Sequence, residues 1–144
     1  MRIVVDTNVS VSGLLWGGPP NQILKWAREG RLVIMACEQN TAELKRVLRY
    51  PRFSRRLSDL HVTAEEVFAY YMNMVCFVSD VKKIPKAIPE DEFDNIFLAL
   101  AEKHHAKLIV SGDRHLLKQM SYHSIQIVTP SEAVQVLEKL RKEQ

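Results

Sequence analysis

With 144 residues, 47% of them hydrophobic and 26% charged, the chain has the size and make-up of one globular domain, and it can bury a core without disulfides or a structural metal. Its net charge of +3 is mildly basic and compatible with a polyanionic partner. No apolar run approaches the ~20 residues of a membrane span and the N-terminus lacks a secretory core, so the expected location is the cytoplasm, with no membrane partner.

Strand and helix signals alternate along the chain. Arg2 to Val5 reads as a short buried strand that runs into Asp6. In "PPNQILKWAREG", Pro20 suits a first turn, Ile23, Trp26 and Ala27 share a face, and Gly30 can stop the helix. Leu32 to Ala36 is a second buried strand. "NTAELKRVL" is helical, with Leu44, Val47 and Leu48 on one side. "TAEEVFAYYMNMV" opens with a capping box, Thr63 with Glu66. "CFVS" is a third strand, and "KKIPKAIPEDE" a loop. Phe93, Ile96, Phe97, Leu100 and Ala101 follow a helical period. Lys107 to Ser111 is a fourth strand, "GDRHLLKQM" a short helix and "IQIVT" a fifth strand. Ser131 is the expected cap of a last helix carrying Ala133, Val136, Leu137 and Leu140.

Cys37 and Cys76 each lie in an apolar run and are expected to be buried thiols without a disulfide. Strands apolar on both faces that alternate with helices indicate a three-layer α/β/α fold around a parallel sheet of about five strands. In such sheets a ligand site lies beyond the carboxyl ends of the strands, where strand order reverses.

Two strands end in the same way, "RIVVD" on Asp6 and "LIVSGD" on Asp113. Asp6 can also serve as a helix cap and Asp113 as a turn residue. Two strand-terminal acids in one sheet are more simply explained by one shared site. Glu43 lies four residues before Val47 and borders the apolar face of its helix. Glu90, Asp91, Glu92 and Asp94 crowd a helix start, where the dipole favours anions. Asp94 falls within the amphipathic pattern and so can face the sheet edge. Gathered carboxylates raise one another's pKa unless a cation compensates, and an all-oxygen set favours Mg²⁺ or Mn²⁺. His104 and His105 are adjacent and no H-E-x-x-H occurs, so a histidine metal site is not expected.

"IVVDTNVSVSGLL", "TAELKRVL", "EDEFDNIFLALAEKHHAKLIVSGDRHLL" and "IQIVTPSEAV" together resemble the PIN-domain family of metal-dependent ribonucleases, from Met1 to about Val136. The resemblance is greatest to bacterial and archaeal toxins of toxin–antitoxin pairs, of the VapC type. It implies a single PIN-like domain over residues 1–144 and an acidic catalytic pocket of Asp6, Glu43, Asp94 and Asp113. In that pocket Asp6, Asp94 and Asp113 are metal ligands, and Thr7, Asn8 and Ser111 support them. It also implies a small antitoxin partner and a homodimer. Several relatives carry a further acid after the last Asp, where this chain has Arg114 and His115, and Asp91 rivals Asp94 as third ligand.

The expected reaction is hydrolysis of an RNA phosphodiester. "LKRVLRYPRFSRRL" supplies Lys45, Arg46, Arg49, Arg52, Arg55 and Arg56, with Tyr50 and Phe53 among them, as an RNA-binding wall that leads away from Glu43. The plain alternative for this stretch is a solvated helix face. One competing function is a haloacid-dehalogenase-like phosphatase, whose motif needs a second Asp where this chain has Asn8. Another is a non-catalytic RNA-binding PIN module. A nucleotide-binding enzyme is disfavoured by the lack of a Walker loop or a G-x-G-x-x-G after the first strand.

Overall fold

The computed structural model describes residues 1–80, 92–118 and 121–142. The elements run β1 (Arg2–Val5), α1 (Thr7–Leu15), α2 (Pro19–Arg28), β2 (Val33–Ala36) and α3 (Glu38–Val47). A 3₁₀ turn (Pro51–Phe53), α4 (Ser54–Asp59), α5 (Ala64–Met74) and β3 (Cys76–Phe77) follow. Then come α6 (Glu92–Lys103), β4 (Leu108–Val110), α7 (Arg114–Leu117), β5 (Ser121–Tyr122), β6 (Ile125–Val128) and α8 (Pro130–Lys142). The sheet order is β3-β2-β1-β4-β6-β5. Successive strand residues serve opposite faces. Ile3, Val5, Leu108 and Val110 join the core built with α1, α2, α3 and α8, while Val4 and Ile109 join Phe97, Leu98 and Leu100 of α6 and Leu116 of α7. This two-sided burial is why the strands are apolar without alternation.

β1, β2, β3, β4 and β6 are the five expected strands, and they run parallel to one another. The sheet nevertheless has six strands and is mixed, because β5 pairs antiparallel with β6. The hairpin between them turns on His123 and Ser124, both at positive φ (47° and 71°). Tight hairpins favour Asn-Gly or Asp-Gly at such positions, so "HS" hides the turn and a two-residue strand has no readable period.

Two further expectations are adjusted. Cys37 is buried, but Cys76 is exposed, because β3 is a two-residue edge strand with both side chains in solvent. The last helix starts at Pro130, and its cap is Thr129, not Ser131. The Glu132 amide donates to Thr129 Oγ1 (3.2 Å) while Glu132 Oε1 accepts from the Thr129 amide (3.3 Å). The expected capping box of α5 is present, with Thr63 and Glu66 bonded reciprocally at 3.1 Å.

Residues 7–15, rich in Val and Ser, do not advertise a helix. Their apolar groups spread around α1 because it is buried on nearly all sides. Gly13 allows this. A Cβ there would stand 2.8 Å from both the Pro20 carbonyl oxygen and Leu24 Cδ1, and Asn21 Nδ2 donates to the Gly13 carbonyl at 2.9 Å. Gly13→Ala should therefore destabilise the protein by roughly 1–3 kcal/mol in urea unfolding, despite a helix-propensity gain of about 1 kcal/mol. Unchanged or increased stability would show that α1 and α2 can separate freely.

Candidate active site

β1 and β4 are adjacent, and the chain leaves them in opposite directions, to β2 on one side and β6 on the other. Their carboxyl ends form the switch point where strand order reverses. Val5 pairs with Val110, so the next residues, Asp6 and Ser111, meet above the sheet. The Asp6 amide donates to the Val110 carbonyl (3.0 Å) and the Ser111 amide to the Val128 carbonyl (2.9 Å).

Asp6 is only 4% exposed. Its Oδ1 accepts the Val9 amide (2.9 Å), which makes Asp6 the N-cap of α1. Its Oδ2 accepts a short hydrogen bond from the Ser111 hydroxyl. That hydroxyl oxygen in turn accepts the Asp113 amide at 2.9 Å. One serine thus joins the Asp6 carboxylate to the Asp113 backbone. Asp113 is half-buried, and its Oδ1 lies 3.4 Å from the Leu116 amide in α7. Each acid therefore does what the plain reading asks, and the two are near enough for their charges to interact. Burial pushes the Asp6 carboxyl up from 3.8 to about 6, and the charge of Asp113 adds to that. The bonds from Ser111, Val9 and the Gly112 backbone oppose it.

Glu43 arrives from α3, which packs against α1. Its Oε2 accepts the Thr7 hydroxyl at 2.8 Å, so the residue next to Asp6 fixes this third carboxylate. Thr7 is buried, whereas Asn8 turns outward and is exposed. Asp94 occupies the first turn of α6, a helix packed on β1, β2 and β4; its side chain and the whole of Asp91 lie outside the described residues. Among the described residues, no three His, Cys, Asp or Glu side chains form a metal-holding group, and the Asp94 carboxylate is not among those side chains.

Sequence reasoning missed several buried polar residues. Ser10 Oγ and the Tyr71 hydroxyl lie 3.2 Å apart. Burial, with the nearby Asp6 charge, pushes the Tyr71 phenol up to about 12 against the opposing Ser10 bond. Asn40 accepts the Cys37 amide at 2.7 Å at the start of α3, and Asn95 is buried on α6. The available signal was a polar residue inside an apolar helical run, as in "DNIF" and "SVSGLL".

The basic stretch divides. Arg49 pairs with Glu65 at 2.8 Å. Lys45 lies over the Phe68 ring. Arg52 lies over the rings of Tyr50 and Phe53. Arg46 and Arg55 are exposed. Arg56 differs from the others: its Nε donates to the Leu15 carbonyl at 2.7 Å and its guanidinium lies over Trp16. It closes the end of α1, so a structural duty accompanies any contact with RNA.

A family model described as PIN domain matches residues 2–115. No curated protein matches the chain. Among solved structures, the chain is similar to PAE2754 from Pyrobaculum aerophilum at 16% identity and a TM-score of 0.61, covering 96% of this chain and 90% of that one. It is also similar to FitAcB from Neisseria gonorrhoeae at 16% identity and a TM-score of 0.51, covering 89% and 97%. Identities this low speak for the fold alone, but the family match spans most of the chain: the protein belongs to the PIN-domain family, whose members are generally nucleases.

Proposed function

We propose that this PIN domain is a Mg²⁺- or Mn²⁺-dependent endoribonuclease that hydrolyses RNA phosphodiester bonds, acting as the toxin of a toxin–antitoxin pair. The observation that carries the reading is the buried Asp6 carboxylate, bonded through the Ser111 hydroxyl to the Asp113 backbone and within reach of the Asp113 charge, at the switch point of the sheet. The donors are all oxygens, and a buried carboxylate beside a second one is the environment in which a hard divalent cation offsets repulsion. Asp6 and Asp113 would hold it together with Asp94 from α6, Asp91 being the rival for that third place. When bound, such a cation polarises the phosphate and lowers the pKa of a water.

The chain's own groups do the rest. Ser111 and the Val9 amide fix both oxygens of Asp6. Thr7 aims Glu43, which can accept a proton from the attacking water. The basic stretch from Lys45 to Arg56 is the proposed path of the RNA. The VapC-like resemblance supports a small antitoxin partner, a homodimer and a cytoplasmic location; among the described residues no helix is long and apolar enough to cross a membrane. A phosphatase of the haloacid-dehalogenase type is set aside by the PIN-domain match and by Asn8, an exposed amide where that chemistry needs an acid.

The test is cleavage of a labelled single-stranded RNA by the purified protein. EDTA should stop it and Mn²⁺ or Mg²⁺ restore it. RNA binding without metal-dependent cleavage would leave a non-catalytic binding module. Because Arg56 also braces α1, the phosphate path is better probed with Arg52→Ala and Arg55→Ala together. Each lost phosphate contact should flatten the log-affinity against log-salt slope by ~0.7, and the pair by about 1.4. An unaltered slope would place the RNA elsewhere.

A further inference from the structure

We propose that Trp16 is a base-stacking platform for single-stranded RNA, held open at the end of α1 by Arg56. The inference rests on the RNA reading above and adds to it a site that the basic stretch alone does not supply. Trp16 is the C-cap residue of α1. It is 42% exposed, whereas the other tryptophan, Trp26, is 7% exposed in the core. Much of the Trp16 ring is therefore open to solvent.

Its surroundings are built. Phe53 meets Trp16 edge-on at 6.2 Å between centroids. The Arg56 guanidinium lies 5.5 Å from the ring centroid while its Nε bonds the Leu15 carbonyl. The cation is thus tied down by a helix-terminal carbonyl and stacks on the indole in a fixed position. Beside this pair, Arg52 lies over Phe53 (4.8 Å) and over Tyr50 (5.5 Å), itself 36% exposed. Aromatic faces interleaved with guanidinium groups are what a single strand uses for stacking and phosphate contact.

Position ties the platform to the acids. α1 begins beside Asp6 and its nine residues span about 13 Å to Trp16. Asn8, Ser12 and Trp16 are spaced four apart and so share one side of the helix; they are exposed, half-buried and exposed. A strand with one base on Trp16 could follow this side and present a phosphate a few nucleotides away to the carboxylates. The charge argues for a polyanion rather than a second copy of the chain. Arg52 and Arg56 lie against the rings of the platform, and residues 50–56 carry three cations and no acid, so self-association through this face would bring like charges together.

The experiment is binding without cleavage. In EDTA, a fluorescein-labelled single-stranded oligoribonucleotide and its abasic counterpart are titrated with wild type, Trp16→Ala and Trp16→Phe, each checked for folding by circular dichroism. Trp16→Ala should weaken binding of the base-bearing strand roughly ten- to a hundredfold and leave the abasic strand unchanged. Trp16→Phe should recover most of the loss, and the base-bearing strand should quench wild-type tryptophan emission. Equal losses on both strands, or no loss on either, would overturn the platform, and salt-sensitive binding by wild type would then leave the RNA reading standing. A change of oligomeric state in Trp16→Ala by light scattering would make the patch a contact between copies and also overturn it. If wild type binds neither strand and cleaves no RNA, the RNA reading itself fails, and the platform with it.

Discussion

Asp6→Asn should raise the stability of the metal-free protein at neutral pH. Asn is as good an N-cap as Asp, so its oxygen can keep the Val9 bond, and its amide can bond Ser111. What disappears is a buried charge beside Asp113. The sign follows from proton linkage. The folded carboxyl titrates near 6 against an ordinary 3.8, so the folded state holds the proton more tightly than the unfolded one. Below about pH 4 the group is protonated in both states and has no net effect. As pH rises from about 4 to about 6, the unfolded chain ionises first and wild type loses stability. Above pH 6 the full penalty, roughly 3 kcal/mol, persists. Urea denaturation in EDTA should show the wild-type curve falling across that window relative to that of the Asn variant. Parallel pH dependence in the two proteins would mean that Asp6 is not electrostatically burdened.

Mn²⁺ or Mg²⁺ should reverse that burden. A cation that binds the assembled carboxylates and not the unfolded chain stabilises by about 2.7 kcal/mol at a hundred times its Kd. For a chain of this length the melting temperature should rise by about 5–10 °C. The rise should shrink strongly in Asp6→Asn and Asp113→Asn, and it should weaken below pH 6, where protons compete for Asp6. Coincident melting curves in EDTA and in excess Mn²⁺ would contradict a metal-holding pocket.

Most of the architecture was legible because the strands are apolar on both faces and the helices between them repeat every three to four residues. Val4 and Val5 face opposite layers, which is the physical content of "RIVVD". The placement of Asp6 and Asp113 followed from parallel strands that end at one edge. Other features left no such trace. α1 hides because a helix buried on nearly all sides has no polar stripe. β5 hides because it has two residues and a His-Ser turn. The exposure of Cys76 depends on β3 lying at the edge, which strand order decides and local sequence does not. At the site, the acids were readable as types at strand and helix ends. The contacts that orient them, from Ser111 to Asp6 and from Thr7 to Glu43, join residues 105 and 36 positions apart. No local pattern encodes such pairs. Trp16 follows the apolar pair Leu14 and Leu15 in the sequence, and its contacts with Phe53 and Arg56 are what set it apart.

Asp6 is the proposed centre of a metal-dependent nuclease. The most direct measurement is cleavage of one labelled single-stranded RNA by wild type and by Asp6→Asn, side by side with Mn²⁺ and with EDTA, after circular dichroism has shown both to be folded. Wild type should cut only with the metal, and the variant should stay at background under both conditions even though it is the more stable protein without metal. Wild-type rates from a folded Asp6→Asn protein, or equal cutting by wild type in EDTA and in Mn²⁺, would contradict that role.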